Sequence, residues 1–242
     1  MVLNLSGELI PDDWAELYRD WGYEAGFFCP ADLRKAMADL PEGEELTLEV
    51  NSVGGSVDGG AEIYSLIQAC KNPTRAVIQS MAASAASYMV MACDTIDICP
   101  PAQMMIHCAW GGGAGNQKDH QQMAQALGVC DESILACYAK RCQGKTDKET
   151  LRAMMEAETF IGAQDAVAYG LADNVIGGET AEEPQMVAAS ICNNLVRAMR
   201  VLPDIGVLKA KRDADRAAKA QMELEAEIGR FRELERESGL LN

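Results

Sequence analysis

The chain has 242 residues, 48% of them hydrophobic and only 5% aromatic, with a formal net charge of −16 and nine cysteines. That charge argues against sequence-independent nucleic-acid binding, which needs a positive surface to displace counterions, and against docking on anionic lipid. The length suits one α/β core plus an appendage, since single domains commonly run to about 100–200 residues. The cysteine count is odd, no pair has CxxC spacing and no Cys–His cluster has zinc-site spacing. Free thiols in a reducing cytoplasm are therefore expected, with no metal or organic cofactor. The N-terminus MVLNLSGELIPDDW is acidic and lacks the apolar run of a signal peptide. The longest apolar stretch, Met81 to Cys93, carries serines and is too short to span a bilayer.

In chain order, Leu3 to Leu5 reads as a first strand ending in a turn at Gly7, and Pro11 to Trp14 as a helix start with acidic residues in its first turn. The glycine-punctuated, aromatic run from Trp21 to Cys29 reads as a loop, and Pro30 to Asp39 as a second helix. The alternation in Leu46 to Val50 makes a strand, Asn51 to Val57 a turn, and Ala61 to Cys70 a helix. Thr74 to Gln79 predicts another strand, and the small-residue segment Met81 to Cys93 a helix. Thr95 to Cys99 and Met104 to His107 are short strands separated by Pro100-Pro101. Gly111 to Gly115 is a glycine-rich loop or hairpin, followed by helices over Lys118 to Arg141 and Asp147 to Glu156. A last unit runs from Phe160 through a helix ending at Tyr169 to a strand over Asn174 to Ile176. Strands alternating with helices imply a mostly parallel sheet. The core domain is expected to span 1–177. Residues 178–202 read as linker and short helix, and 203–242 as a charged amphipathic helical extension in which Leu224, Ile228 and Phe231 share one face.

With only two histidines, the search for a base is short. His107 ends an apolar strand beside glycines, where an open sheet presents side chains to a cleft; the plainer reading is a half-buried histidine bonded to backbone. His120 lies in a polar helical run and reads as surface. Ser84 stands where a strand hands over to a helix, and the amide of Ala85 can there face a developing oxyanion. The segment lacks a GxSxG elbow, and a small-residue helix packed on a neighbour, with Ser80 as its cap, is the alternative. Gly54 and Gly55 sit at a strand-to-helix turn and free backbone amides for a second donor; a phosphate-binding or ordinary tight turn is the alternative, and no Walker lysine follows. No cysteine occupies the strand-to-helix position, which argues against a Cys nucleophile.

Taken together and in order, Asn51-Ser52-Val53-Gly54-Gly55, Ala82-Ala83-Ser84 and Met105-Ile106-His107 followed by glycines resemble the motifs of the ClpP family. The run from Phe160 to Asp173 resembles that family's FLSAxEAxxYGLxD signature. The resemblance covers about Leu3 to Ile176. It implies an α/β fold of the ClpP/crotonase type, a spiral of ββα units with a helical handle, and a serine endopeptidase activity. It further implies Ser84 as nucleophile, His107 as general base, and Gly54, Gly55 and Ala85 as the oxyanion hole. The segment around Gly111, Gly112 and Gly113, with the long helix after it, resembles the handle that helps bind an extended peptide and mediates ring-to-ring contact. The family's triad acid is usually Asp two residues before the signature Phe; here that position is Glu158, with Glu156 or a water as alternatives.

Three departures resemble the ClpP-like head maturation proteases of tailed phages and prophages. Little chain precedes the first strand, so the axial loops that help engage an ATPase are expected to be missing. The Trp14–Pro30 region is longer and more aromatic than in the housekeeping enzyme, and a charged tail is appended. That resemblance implies ATP-independent cleavage of capsid or scaffold protein, in the host cytoplasm or inside an assembling procapsid. The partners it implies are a homo-oligomeric ring, a heptamer or stacked double ring, and a protein substrate. The same fold hosts crotonase-like acyl-CoA enzymes, and an inactive scaffold protein is the third alternative.

Overall fold

The computed structural model describes residues 1–177 and scattered positions between 210 and 225. Its sheet has eight strands: Val2–Leu9 (β1), Phe27–Phe28 (β2), Leu46–Gly55 (β3), Thr74–Ala83 (β4), Thr95–Ile98 (β5), Gln103–Ile106 (β6), Thr159–Gly162 (β7) and Asn174–Val175 (β8). The main order is β2-β1-β3-β4-β5-β8, all parallel, while β6 pairs with β4 and carries β7 antiparallel. Helices Asp12–Asp20 (α1), Pro30–Asp39 (α2), Val57–Ala69 (α3), Ala85–Met89 (α4), Gln117–Arg141 (α5), Lys148–Glu156 (α6) and Ala163–Tyr169 (α7) complete the fold, with a 3₁₀ turn at Val90–Ala92.

Alternation fixes the register of β3: Leu46, Leu48 and Val50 are fully buried, and a slip of one residue would turn all three outward. They join Leu5, Ile63, Ile78, Ile96 and Met104 in one core between sheet and helices. The edge of β4 is handed from one partner to another. Arg75 to Ile78 pair with β5, then Met81 to Ala83 pair with β6, and exposed Gln79 and Ser80 lie at the changeover. This split opens the sheet where β4 ends.

Several expected boundaries move for identifiable reasons. Met81–Ala83 is strand, not helix, because β6 supplies partners for an edge that Ala and Met would otherwise leave helical. Only Ala85–Met89 of the expected Met81–Cys93 helix is α-helical. The Asn51–Gly55 turn is a continuation of β3, and helix α3 starts at Val57, capped by Ser56 Oγ accepting from the Gly59 amide. Gly7 makes a bulge inside β1, not a turn after it: φ is +95°, and a Cβ there would lie 2.1 Å from the Gly26 carbonyl oxygen. The aromatic run contains β2, and Ile10, Ala15 and Cys29 form a small separate core with Trp14, Tyr18 and Phe27 against it.

The approach to β8 is tied down by charge. Arg141 on α5 donates to the Cys93 carbonyl at 2.8 Å and pairs with Asp173, whose carboxylate accepts from the Ile96 amide at 2.7 Å. The expected 178–202 linker lies outside the described residues, as does most of the 203–242 extension. Described positions there, among them Ala217, Ala218, Lys219, Gln221 and Met222, are helical and exposed.

Candidate active site

The strand β4 ends at Ala83, and the next residue leaves ordinary backbone space. Ser84 has φ +54° and ψ −126°, a conformation that costs an L residue about 1–3 kcal/mol and needs its surroundings to hold it. Those surroundings are present. The Ser84 amide donates to the Met105 carbonyl on β6 at 2.8 Å, and the Ser84 carbonyl accepts from the Ser87 amide at 2.9 Å and from Ser87 Oγ at 2.6 Å. Ser87 Oγ lies 2.6 Å from the hydroxyl of Tyr138, buried on α5. The side chain of Ser84 is thereby held out from the turn, half-buried.

His107 follows the last residue of β6, and its Nε2 lies 2.7 Å from Ser84 Oγ. An imidazole nitrogen at that distance, in the tautomer protonated on Nδ1, can take the hydroxyl proton. The turn after His107 is fixed from α5, where Asp131 Oδ1 accepts from the Ala109 amide at 2.6 Å. Burial, then the nearby charges of Asp131 and Glu156, pushes the adjacent Cys108 thiol up to about 11. A thiol so disposed is overwhelmingly protonated at neutral pH and a poor nucleophile.

Glu158 immediately precedes β7, whose antiparallel register with β6 ends at the pair Ile106↔Thr159, and its amide donates to the Met155 carbonyl at 3.1 Å. It is half-buried and has φ +50° just past the end of α6, a left-handed position where helices prefer glycine. Glu156 is exposed, and its charge acts on Cys108, the neighbour of His107.

The end of β3 meets the turn after β4. A Cβ on Gly54, whose φ is +90°, would lie 2.6 Å from the Ala83 oxygen, 2.7 Å from Ser84 Cβ and 2.8 Å from the Ala85 amide nitrogen. Only a bare α-carbon permits that approach. The Gly54 amide already donates to Ser52 Oγ at 3.0 Å, and Ser52 Oγ donates to the Gly7 carbonyl at 2.6 Å. The first of these bonds occupies the Gly54 N–H with a buried side-chain acceptor. Gly55, with φ +148°, backs onto Leu9 so closely that a Cβ would lie 2.0 Å from its oxygen. Helix α4 has five residues, too short to add a long helix dipole at its first amide, that of Ala85.

Gly111, Gly112 and Gly113 lie in an exposed loop without regular structure between β6 and α5. A Cβ on Gly113 would press on the Met123 methyl at 2.2 Å, while Gly112 has open space around it. Among the described residues no cluster of three or more His, Cys, Asp or Glu is placed to hold a metal, and the cysteines are free thiols. Sequence reasoning missed Ser52, Ser87, Asp131 and Tyr138. Ser52 and Ser87 lie inside motifs already singled out, but nothing local in the sequence marks Asp131 or Tyr138, which reach the site by the fold of α5.

A family model described as Clp protease matches residues 36–179. The chain is also similar to the ATP-dependent Clp protease proteolytic subunit of Borreliella afzelii (strain PKo): 30% identical over 135 residues, 55% of this chain and 68% of that relative.

Proposed function

This chain belongs to the Clp protease family, and from that membership we propose that it is a serine endopeptidase using Ser84, His107 and Glu158. The observation that carries the reading is the 2.7 Å contact between His107 Nε2 and Ser84 Oγ, at a serine whose backbone is strained. In the proposed reaction Ser84 Oγ attacks the scissile carbonyl carbon while His107 takes its proton. The carbonyl π pair moves onto oxygen, where the amides of Ala85 and Gly55 receive it. Collapse of the tetrahedral intermediate breaks the C–N bond, and the proton on His107 passes to the departing amine. Water then repeats the sequence on the acyl-serine. Glu158 holds the imidazole in the Nδ1-protonated tautomer. Its left-handed backbone supports that role, since a site that only closed a helix would be served better by glycine.

The finer reading is ATP-independent processing of capsid or scaffold protein during phage head maturation, by a ring of these chains in the host cytoplasm or assembling procapsid. Its support is the aromatic segment that builds α1 and β2 and the charged 203–242 extension. Rings are typical of the family. The relative's name marks that protein, by contrast, as ATP-dependent. Among the described residues no helix is long and apolar enough to cross a membrane.

The test is labelling of the full chain and of Ser84→Ala with a fluorophosphonate probe, read by mass spectrometry. An adduct on Ser84 that disappears in the variant is expected. A folded chain that takes no label would turn the reading toward an inactive scaffold protein.

A further inference from the structure

The geometry points to Ser87 and Tyr138 as positioning residues that aim the Ala85 N–H, the proposed oxyanion donor; this rests on the peptidase reading of Ser84. The direction of each bond follows from what the atoms can do. The Ser84 carbonyl oxygen only accepts, so the 2.6 Å contact from Ser87 Oγ uses the single hydroxyl proton of Ser87. In the 2.6 Å contact between Ser87 Oγ and Tyr138 Oη, Tyr138 is then the donor. The chain runs one way, from the Tyr138 hydroxyl to Ser87 and from Ser87 to the Ser84 carbonyl. Both side chains are shut off from solvent, at 0% and 1% exposure, so water cannot substitute for either bond. Burial raises the Tyr138 hydroxyl above the usual tyrosine range, which keeps its proton in place.

The Ser84 carbonyl and the Ala85 N–H belong to the same planar trans peptide and point in opposite directions. Fixing the oxygen therefore fixes the line along which the N–H is presented. Donation to the carbonyl also polarises the peptide and strengthens its N–H as a donor. The turn itself is already closed by the Ser87 amide on the Ser84 oxygen at 2.9 Å. The side-chain chain is thus additional to what α4 needs, and it acts on a residue whose φ and ψ lie outside the favoured regions and must be held there.

The experiment measures the second-order rate of fluorophosphonate labelling at Ser84 across pH, because the probe's phosphoryl oxygen draws on the same donors as a peptide oxyanion. Ser87→Ala is expected to lower the plateau rate about 10- to 100-fold and the isosteric Tyr138→Phe about 3- to 10-fold, less than outright loss of an oxyanion donor. The pH midpoint should stay at the wild-type value, because neither change touches His107. In the Ser87→Ala background, Tyr138→Phe should cost nothing more, since the chain is already cut. Full rates in both single variants, multiplying losses in the double variant, or a displaced pH midpoint would each overturn the inference. If Ser87→Ala does not fold, Tyr138→Phe decides alone by its plateau and midpoint. A wild-type chain without label on Ser84 overturns the peptidase reading and this one together; label on the wild type with unaffected variants overturns only this one.

Discussion

Two residues in the site hold backbone conformations that their side chains do not favour, and both carry a proposed function. Ser84 sits at φ +54° and Glu158 at φ +50°, where glycine would be at ease. For Glu158 this separates stability from activity. Glu158→Gly relieves the left-handed strain, so the variant should melt no lower than wild type and gain up to about 1 kcal/mol, read by chemical denaturation. The same variant should lose hydrolysis of an unstructured protein such as casein. The loss should be smaller than for His107→Ala, by about two orders of magnitude, because the orienting acid is the least essential member of characterised triads. Full activity in Glu158→Gly would move the acid elsewhere, with Glu156 next to be tested.

At the scale of elements, the site is a meeting of segment ends. β3 ends at Gly55, β4 at Ala83 and β6 at Ile106, and the end of the first touches the turn after the second through Gly54. Helix α5 reaches both remaining parts, holding the Ala109 amide through Asp131 and the Ser84 carbonyl through Tyr138 and Ser87. Seven residues separate Asp131 from Tyr138 on α5, two turns or about 10 Å of rise, which places both contacts on one face. Gly54→Ala should therefore damage the nucleophile without touching a reacting atom. Its methyl would fall within 2.8 Å of the Ala83 oxygen, Ser84 Cβ and the Ala85 nitrogen, on a backbone at φ +90°. We expect a loss of about 2–4 kcal/mol in unfolding free energy, overpacking and strain combined, and no fluorophosphonate adduct on Ser84. A variant with wild-type stability and labelling would mean that the two turns are not packed as described.

For the whole molecule, family membership makes rings the expected state of this chain. Sedimentation velocity on the full chain should give a discrete assembly, a heptamer or stacked pair of heptamers, and no monomer at micromolar concentration. A monomer that still labels at Ser84 would detach the chemistry from the ring. The first half of α5, from Gln117 to Cys130, has no buried residue within the chain. The surface it offers in a ring is what such an assembly would cover.

The sequence by itself determined which residues could do chemistry. With two histidines and a serine at a strand end, the proposed nucleophile and base were legible as residue types, and their order along the chain resembled one family closely enough to name it. Periodicity also located most strands and helices, because the alternation in Leu46 to Val50 and the length of the run after Lys118 are local properties. Tertiary structure alone decided where β4 stops. Met81 to Ala83 have helical composition, and they extend β4 because β6, twenty residues on, completes their hydrogen bonds. It alone paired β6 with β7, so that His107 and Glu158 each adjoin the last pair of that ladder, Ile106↔Thr159, a register that no local pattern encodes. It alone enlisted Tyr138, because a buried hydroxyl acquires its role from the partner that the fold delivers to it, and that partner lies 51 residues away.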